Sequence, residues 1–143
     1  MGVFLDSGFY LGLSHSNDPH SDRSNEILLD LKTGKFGLLY TSNLIISEVT
    51  TLAFVRSKGN QKVMNNLYDL IWGKHRLATR LEVSLISENE TWTMFDKLNK
   101  NCKIKKGFLS FVDVSILVLA KNKKIDYLVS FDEYFDGLIT RIF

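Results

Sequence analysis

Short apolar segments alternate with helical patterns along the whole chain, and this alternation is the feature that most constrains the fold. The predicted strands are residues 2–6, 38–41, 80–87, 127–130 and 137–143. Parallel strands joined by helices require right-handed crossovers and a sheet that is covered on both faces. We therefore expect one domain over residues 1–143, a three-layer α/β/α fold with a central, mostly parallel sheet of about five strands.

Polar residues and glycines mark the ends of the predicted helices. Asp18 is expected to cap a helix whose first position is Pro19, and Gly34 and Gly59 are expected to stop two helices. Trp72 and Trp92 lie at helical spacing with apolar residues, which favours core packing for both rings. The predicted helices are residues 7–14, 19–32, 44–57, 60–72, 88–101 and 110–122.

The composition is that of an ordinary globular protein, with 45% hydrophobic and 24% charged residues. No apolar run approaches the roughly 18 residues that cross a bilayer. The single cysteine, Cys102, excludes an internal disulfide and fits a reducing compartment. We therefore expect a cytoplasmic protein with no membrane partner.

Four acidic residues stand in apolar surroundings, each where a predicted strand ends or a predicted helix begins. They are Asp6, Glu48, Asp113 and Asp132. A buried polar group without a partner costs roughly 1–3 kcal/mol, so isolated acids of this kind need an explanation. Ligands of open parallel sheets bind outside the carboxyl ends of the strands. The topology could thus bring all four acids to one site.

Asp6 and Asp132 each also have a purely structural interpretation. Asp6 precedes a predicted helix and could be a turn aspartate that caps it. Asp132 could cap a short helix that ends near Gly137. Asp136, one helical turn after Asp132, is either a fifth acid of the site or a solvated residue.

Glu48 and Asp113 have structural alternatives as well. Glu48 projects from the apolar side of its predicted helix, so a buried salt bridge with Arg56 or another basic residue is one alternative. Asp113 fits a capping box that begins at Ser110. That alternative is compatible with metal binding, because one carboxylate oxygen can cap the helix while the other binds a cation.

Oxygen ligands alone indicate a hard cation. Four carboxylates without a counter-ion would repel one another and raise one another's pKa. Carboxylates suit Mg²⁺ or Mn²⁺ rather than zinc, and His15, His20 and His75 show no zinc-type spacing. Clustered carboxylates at one site therefore imply a bound divalent cation.

Four segments together resemble the PIN-domain ribonucleases, specifically the small VapC-like toxins of toxin–antitoxin pairs. The segments are Phe4-Leu5-Asp6-Ser7, Ser47-Glu48-Val49, Phe111-Val112-Asp113-Val114-Ser115 and the stretch from Leu128 to Asp136. The resemblance implies a PIN-like fold and an endoribonuclease that uses Mg²⁺ or Mn²⁺. It also implies a homodimer and a small antitoxin partner. The resemblance also implies the site residues. The catalytic residues would be Asp6, Glu48, Asp113 and Asp132, supported by Ser7 and Ser130. Of these, Asp6, Asp113 and Asp132 would be the metal ligands, and Glu48 would complete the pocket.

The RNA substrate needs basic residues beside the acidic pocket. The candidates are Lys103, Lys105, Lys106 and Arg76, for each of which a solvated basic surface is the alternative.

Two other functions remain open at this point. One is an RNA-processing or turnover nuclease of the same family that lies outside any toxin–antitoxin pair. The other is a non-catalytic RNA-binding or assembly module with the same fold. A dehalogenase-like phosphatase is disfavoured because Gly8 stands where a second aspartate is required.

Overall fold

Five short parallel strands form one sheet in the computed structural model, which describes residues 1–103 and 106–143. The strand order is β3-β2-β1-β4-β5, so β1 lies in the middle and pairs with both β2 and β4. The expected parallel α/β sheet is confirmed. The strands are β1 (Gly2–Leu5), β2 (Leu38–Ser42), β3 (Thr79–Leu81), β4 (Tyr127–Val129) and β5 (Thr140–Ile142).

Helices in the crossover connections cover the sheet. Helix α1 packs against α2, α3 and α4. Helices α5 and α6 pack against each other. The described residues form α1 (Ser7–Ser14), α2 (Ser21–Lys32), α3 (Asn43–Arg56), α4 (Gln61–Ile71), α5 (Leu85–Asn99) and α6 (Phe111–Lys123).

Local capping chemistry sets most of the helix ends, as the sequence predicts. The Ser42 side chain accepts a hydrogen bond from the Ile45 amide and begins α3, and Asn60 begins α4 in the same way. Gly34 and Gly59 follow α2 and α3 with φ values of 77° and 72°. Glycine adopts this left-handed conformation without steric cost, which explains why both helices end there.

The predicted start of α2 is wrong by two residues. The helix begins at Ser21 rather than at Pro19, because the Asp18 carboxylate accepts from the His20 amide at 2.9 Å and so stabilises a turn. The Asp18 side chain is only 5% exposed and lies 3.9 Å from the Arg56 guanidinium. A contact with α3 therefore holds this turn outside the helix.

The third predicted strand is too long. It ends at Leu81, and residues 85–87 belong to α5, which begins three residues before the predicted helix. The Ser84 hydroxyl accepts from the Ser87 amide at 3.5 Å and caps the helix. Leu85 and Ile86 are 83% and 74% exposed, so their apolar character does not reflect a place in the sheet.

The predicted core positions of the two tryptophans are also wrong. Trp72 and Trp92 are 48% and 66% exposed. The guanidinium of Arg80 lies 4.4 Å from the centre of the Trp72 ring, a distance typical of a cation–π contact.

The centre of the core consists of β1, β4 and α6. Val3, Phe4 and Leu5 are fully buried, as are Leu128 and Val129 of the neighbouring strand. Helix α6 is buried continuously from residue 114 to residue 120. Across the described ranges, no helix combines the length and the hydropathy that a membrane span requires.

Gly12 provides a test of how closely α1 packs on α2. A Cβ atom at this position would overlap the Ser24 hydroxyl and lie 3.0 Å from the His20 carbonyl oxygen. We expect Gly12→Ala to lower the free energy of unfolding by roughly 1–3 kcal/mol, the usual cost of overpacking. Urea unfolding measures this loss.

The matched control for this test is Gly8→Ala in the same helix. The nearest atom to a Cβ at Gly8 would be Phe131 Cδ2 at 3.6 Å, an ordinary contact. We expect this variant to keep the wild-type stability or to gain up to about 1 kcal/mol, because alanine favours helix. Equal losses in the two variants would contradict the close packing inferred at Gly12.

Candidate active site

The candidate site lies where the strand order reverses, between β1 and β4. The chain moves from β1 outward to β2 and β3, then returns to the other side of β1 to form β4 and β5. Asp6 follows β1 directly, and its amide donates to the Val129 carbonyl at the end of β4 at 3.1 Å. Asp132 follows β4 after two residues. Both acids therefore lie at the carboxyl edge of the two central strands.

Asp6 is buried and firmly held. Its side chain caps α1, because Oδ1 accepts from the Ser7 amide at 2.7 Å. Its other oxygen, Oδ2, accepts from the Ser130 hydroxyl at 2.7 Å. The residue is only 6% exposed. Ser7 and Ser130, the two supporting residues expected from the resemblance, both contact this carboxylate.

Asp113 combines a capping role with a place at the site. Its Oδ2 accepts from the Ser110 amide at 2.8 Å, and the Ser110 hydroxyl accepts from the Asp113 amide at 3.1 Å. This is the capping box that the sequence predicts.

Asp132 is oriented in a similar way. Its Oδ1 accepts from the Tyr134 amide at 2.9 Å, which caps the 3₁₀ turn Glu133–Phe135. Its own amide donates to the Ser130 hydroxyl at 3.1 Å. The Ser130 hydroxyl therefore connects the backbone of Asp132 with the carboxylate of Asp6.

Glu48 lies in α3 and is half-buried. Arg56, the partner suggested by the sequence, is instead 3.9 Å from Asp18. In the part of the chain that the structure describes, none of the four acids forms an ion pair with a basic side chain.

Burial and neighbouring negative charges act on two of the four carboxyl groups, Asp6 and Asp113. Burial raises the pKa of Asp6 from 3.8 to about 7; the hydrogen bond from Ser130 opposes this rise, and the charges of Asp113 and Glu48 add to it. Burial also raises the pKa of Asp113, against its bonds to Ser110, and Glu48 and Asp132 raise it further. Asp6 is thus affected by the charges of Asp113 and Glu48, and Asp113 by those of Glu48 and Asp132.

The donor set fits a magnesium-like cation. Within residues 1–103 and 106–143, no group of three or more His, Cys, Asp or Glu side chains is arranged to hold a metal ion. Mg²⁺ usually keeps several of its waters and binds one or two carboxylates together with substrate phosphates. Mutually repelling carboxylates with oxygen atoms to spare suit that mode of binding better than a closed protein cage.

The predicted RNA contacts lie in two different places. Lys103 and Lys106 precede α6, and the Lys106 carbonyl accepts a hydrogen bond from the Tyr134 hydroxyl, so Lys106 lies against the turn that Asp132 caps. Lys105 falls outside the described residues. Arg76 precedes the amino end of β3, so it lies at the edge of the sheet opposite to the four acids.

Asp136 is not free to join the acidic group. Both of its carboxylate oxygens accept hydrogen bonds from the Arg141 guanidinium, at 2.7 and 3.1 Å. These bonds lower the pKa of Asp136. Sequence reasoning did not single out Arg141, since nothing in its local sequence indicates a buried partner.

Comparison with known families settles the classification of the chain. A family model described as the PIN domain matches residues 3–138. The chain belongs to the PIN domain family. The resemblance found in the sequence is thereby confirmed, and the matched range of this PIN domain contains all four acids. No curated protein sequence is a significant match.

Two solved structures share the fold of this PIN domain. The first is VapC20 from Mycobacterium tuberculosis, described as a sarcin–ricin loop cleaving toxin, with a TM-score of 0.72 and 19% identity over 94% of this chain and 93% of that one. The second is VapBC2 from Rickettsia felis bound to a promoter DNA fragment, with a TM-score of 0.69 and 14% identity over 99% and 98%. At these identities the likeness concerns the fold.

Proposed function

We propose that this PIN domain is a divalent-cation-dependent endoribonuclease and the toxin of a toxin–antitoxin pair. The observation that carries the proposal is the group of four carboxylates that have no basic partner among the described residues, two of which, Asp6 and Asp113, have raised pKa values. Membership of the family supports a nuclease. The toxin role is supported by the likeness to VapC20 and to VapBC2.

Asp6, Asp113 and Asp132 would hold the cation, directly or through water, and Glu48 would complete the pocket. A bound Mg²⁺ or Mn²⁺ supplies a Lewis acid that lowers the pKa of water and polarises a phosphoryl oxygen. Repulsion among the acids favours cation binding, because a positive charge relieves the destabilisation that burial and like charge impose on them.

The chain itself orients these carboxylates before any ligand binds. Backbone amides and the Ser130 hydroxyl fix Asp6, Asp113 and Asp132, so little reorganisation is needed at the site. Near neutral pH the Asp6 carboxyl is partly protonated in the absence of a cation, since its pKa is about 7. Cation binding therefore requires Asp6 to release a proton.

RNA would approach along the loop before α6. The ammonium groups of Lys103 and Lys106 would contact phosphates, which position a substrate without reading its sequence. Lys105, which lies between them in the sequence, is included in this proposal, and Arg76 would contact only an extended substrate that reaches the opposite edge. In this proposal the protein is a cytoplasmic homodimer that a small antitoxin protein inhibits.

The direct test is RNA cleavage with and without the cation. We expect the purified protein to cleave RNA in the presence of Mg²⁺ or Mn²⁺ and to lose this activity in EDTA. Calorimetry in two buffers of different ionisation enthalpy should show that Mn²⁺ binding releases protons near pH 7, because Asp6 must ionise.

The outcomes separate the competing functions. RNA binding without cleavage under all cation conditions would indicate a non-catalytic module. Cleavage without growth arrest on expression would indicate a processing or turnover nuclease. Growth arrest that a small co-expressed neighbouring protein relieves would support the toxin role.

A further inference from the structure

Arg141 lies in the edge strand β5, yet its side chain is only 8% exposed. A buried guanidinium is costly unless its donors are satisfied. Three of its nitrogens donate hydrogen bonds. Nε and one terminal nitrogen bind the two carboxylate oxygens of Asp136 at 2.7 and 3.1 Å, and the other terminal nitrogen binds the Ser130 carbonyl at 3.1 Å.

The register of the sheet directs this side chain toward Ser130. Arg141 is paired with Leu128 across β4 and β5, and the next residue, Ile142, accepts from the Ser130 amide at 3.2 Å. β5 thus holds the Ser130 backbone at both its amide and its carbonyl. The centre of the Phe143 ring lies 3.8 Å from the guanidinium carbon, so the ring packs against the guanidinium group.

Ser130 in turn contacts two of the four acids. Its hydroxyl donates to Asp6 Oδ2 at 2.7 Å and accepts from the Asp132 amide at 3.1 Å. Asp136, the other partner of Arg141, closes the 3₁₀ turn, because its amide donates a hydrogen bond to the Glu133 carbonyl at 3.0 Å. Arg141 therefore holds both ends of the segment from residue 130 to residue 136.

The geometry points to Arg141 as a positioning residue that fixes Ser130 and Asp132 beside Asp6 for the reaction. This inference rests on the proposed function, because it assigns Arg141 a role in RNA cleavage. Arg141 acts through Ser130 and Asp136 and makes no contact with RNA. The planar fork of arginine matches the two oxygens of Asp136 and still reaches the carbonyl, whereas lysine offers one point charge.

Three variants test the inference. Arg141→Met keeps an unbranched stem but removes all three hydrogen bonds. Arg141→Lys keeps the charge without the fork. Arg23→Met is the matched control, since Arg23 also donates to the terminal segment, at the Phe143 carbonyl (2.8 Å), but has no hydrogen bond with Ser130 or Asp136.

For Arg141→Met we expect kcat for RNA cleavage to fall roughly 10- to 100-fold, the usual effect of losing a group that orients metal-binding residues. KM for RNA should not change, because the residue does not bind substrate. Arg141→Lys should recover part of the rate, and Arg23→Met should keep the wild-type rate. Hydrogen exchange of the Ser130 and Asp132 amides should accelerate in Arg141→Met and remain unchanged in the control.

Several results would overturn this role. Wild-type kcat in Arg141→Met, even with faster exchange, would reduce Arg141 to a structural residue, and a raised KM at constant kcat would make it a substrate contact. If the wild type fails to cleave RNA, the proposed function is wrong. In that case, hydrogen exchange of the Ser130 amide that is the same in Arg141→Met and in the wild type would also refute the positioning of Ser130 by Arg141. If Arg141→Met does not fold, Arg141→Lys carries the same comparison, and a wild-type rate there would refute the need for the fork.

Discussion

Replacing Asp6 or Asp113 with asparagine is expected to reduce RNA cleavage by more than roughly 100-fold at saturating Mg²⁺, a larger loss than removal of a supporting group produces. Asparagine keeps the size of each side chain and one acceptor oxygen, so the caps of α1 and α6 remain. It removes the negative charge on which cation binding depends. Single-turnover cleavage of a defined RNA measures the loss.

The matched control for both variants is Asp126→Asn. Asp126 precedes β4 at the amino edge of the sheet and is 54% exposed, and its carboxylate accepts from the Gly2 amide at 3.3 Å. The substitution changes the net charge by the same amount at the edge opposite to the four acids. We expect it to leave the cleavage rate unchanged. Full activity in Asp6→Asn and Asp113→Asn would rule out this carboxylate site as the active site.

The second large effect concerns stability in the absence of divalent cations. The folded protein holds a proton on Asp6 up to a pKa of about 7, whereas the unfolded chain loses it near 3.8. The folded state therefore binds more protons between these two values, so the free energy of unfolding falls as the pH rises from about 4 to about 7. Asp113, whose pKa is also raised, acts in the same direction.

Asp6→Asn isolates this contribution. In EDTA at pH 8 we expect the variant to be more stable than the wild type, with a Tm higher by several degrees, because it no longer buries a charge. The advantage should shrink at pH 5, where the wild-type carboxyl is already protonated in the folded state. The pKa values of Asp69 and Asp136 are lowered from 3.8, so these two groups change the stability only at a pH below the range compared here. They therefore do not affect the comparison between pH 5 and pH 8.

Mg²⁺ provides an internal check on the same measurement. A cation that binds only the folded state stabilises it by mass action, so Mg²⁺ should raise the Tm of the wild type at pH 8 more than that of Asp6→Asn. A difference between the two proteins that does not depend on pH would contradict the raised pKa of Asp6.

Much of this fold could be predicted because the relevant chemistry is local. The sequence near Ser42, Asn60 and Ser110 carries the side chains that cap α3, α4 and α6, and no distant contact is needed to recognise them. The carboxyl ends of β1 and β4 could be located in the same way. Parallel topology then implied that Asp6 and Asp132 share an edge.

The errors occur where distant contacts decide the structure. The turn before α2 depends on the Asp18–Arg56 pair and on stacking of the His20 ring on Phe131, 4.1 Å between ring centres. The local sequence of Arg141 does not indicate its contacts with Ser130 and Asp136, because these depend on the register of β5 against β4. The capping role of Asp132 could be foreseen, whereas the restraint that Arg141 places on its segment could not.

The central position of β1 has a consequence for synthesis of the protein. β1 is synthesised before the other four strands, yet the hydroxyl that holds Asp6, the residue after β1, belongs to Ser130, 124 residues later. A nascent chain that has reached α5 carries Asp6 and Glu48 but lacks the other two acids. In the proposed nuclease, the four acids can therefore come together only after α6 and β4 have been synthesised.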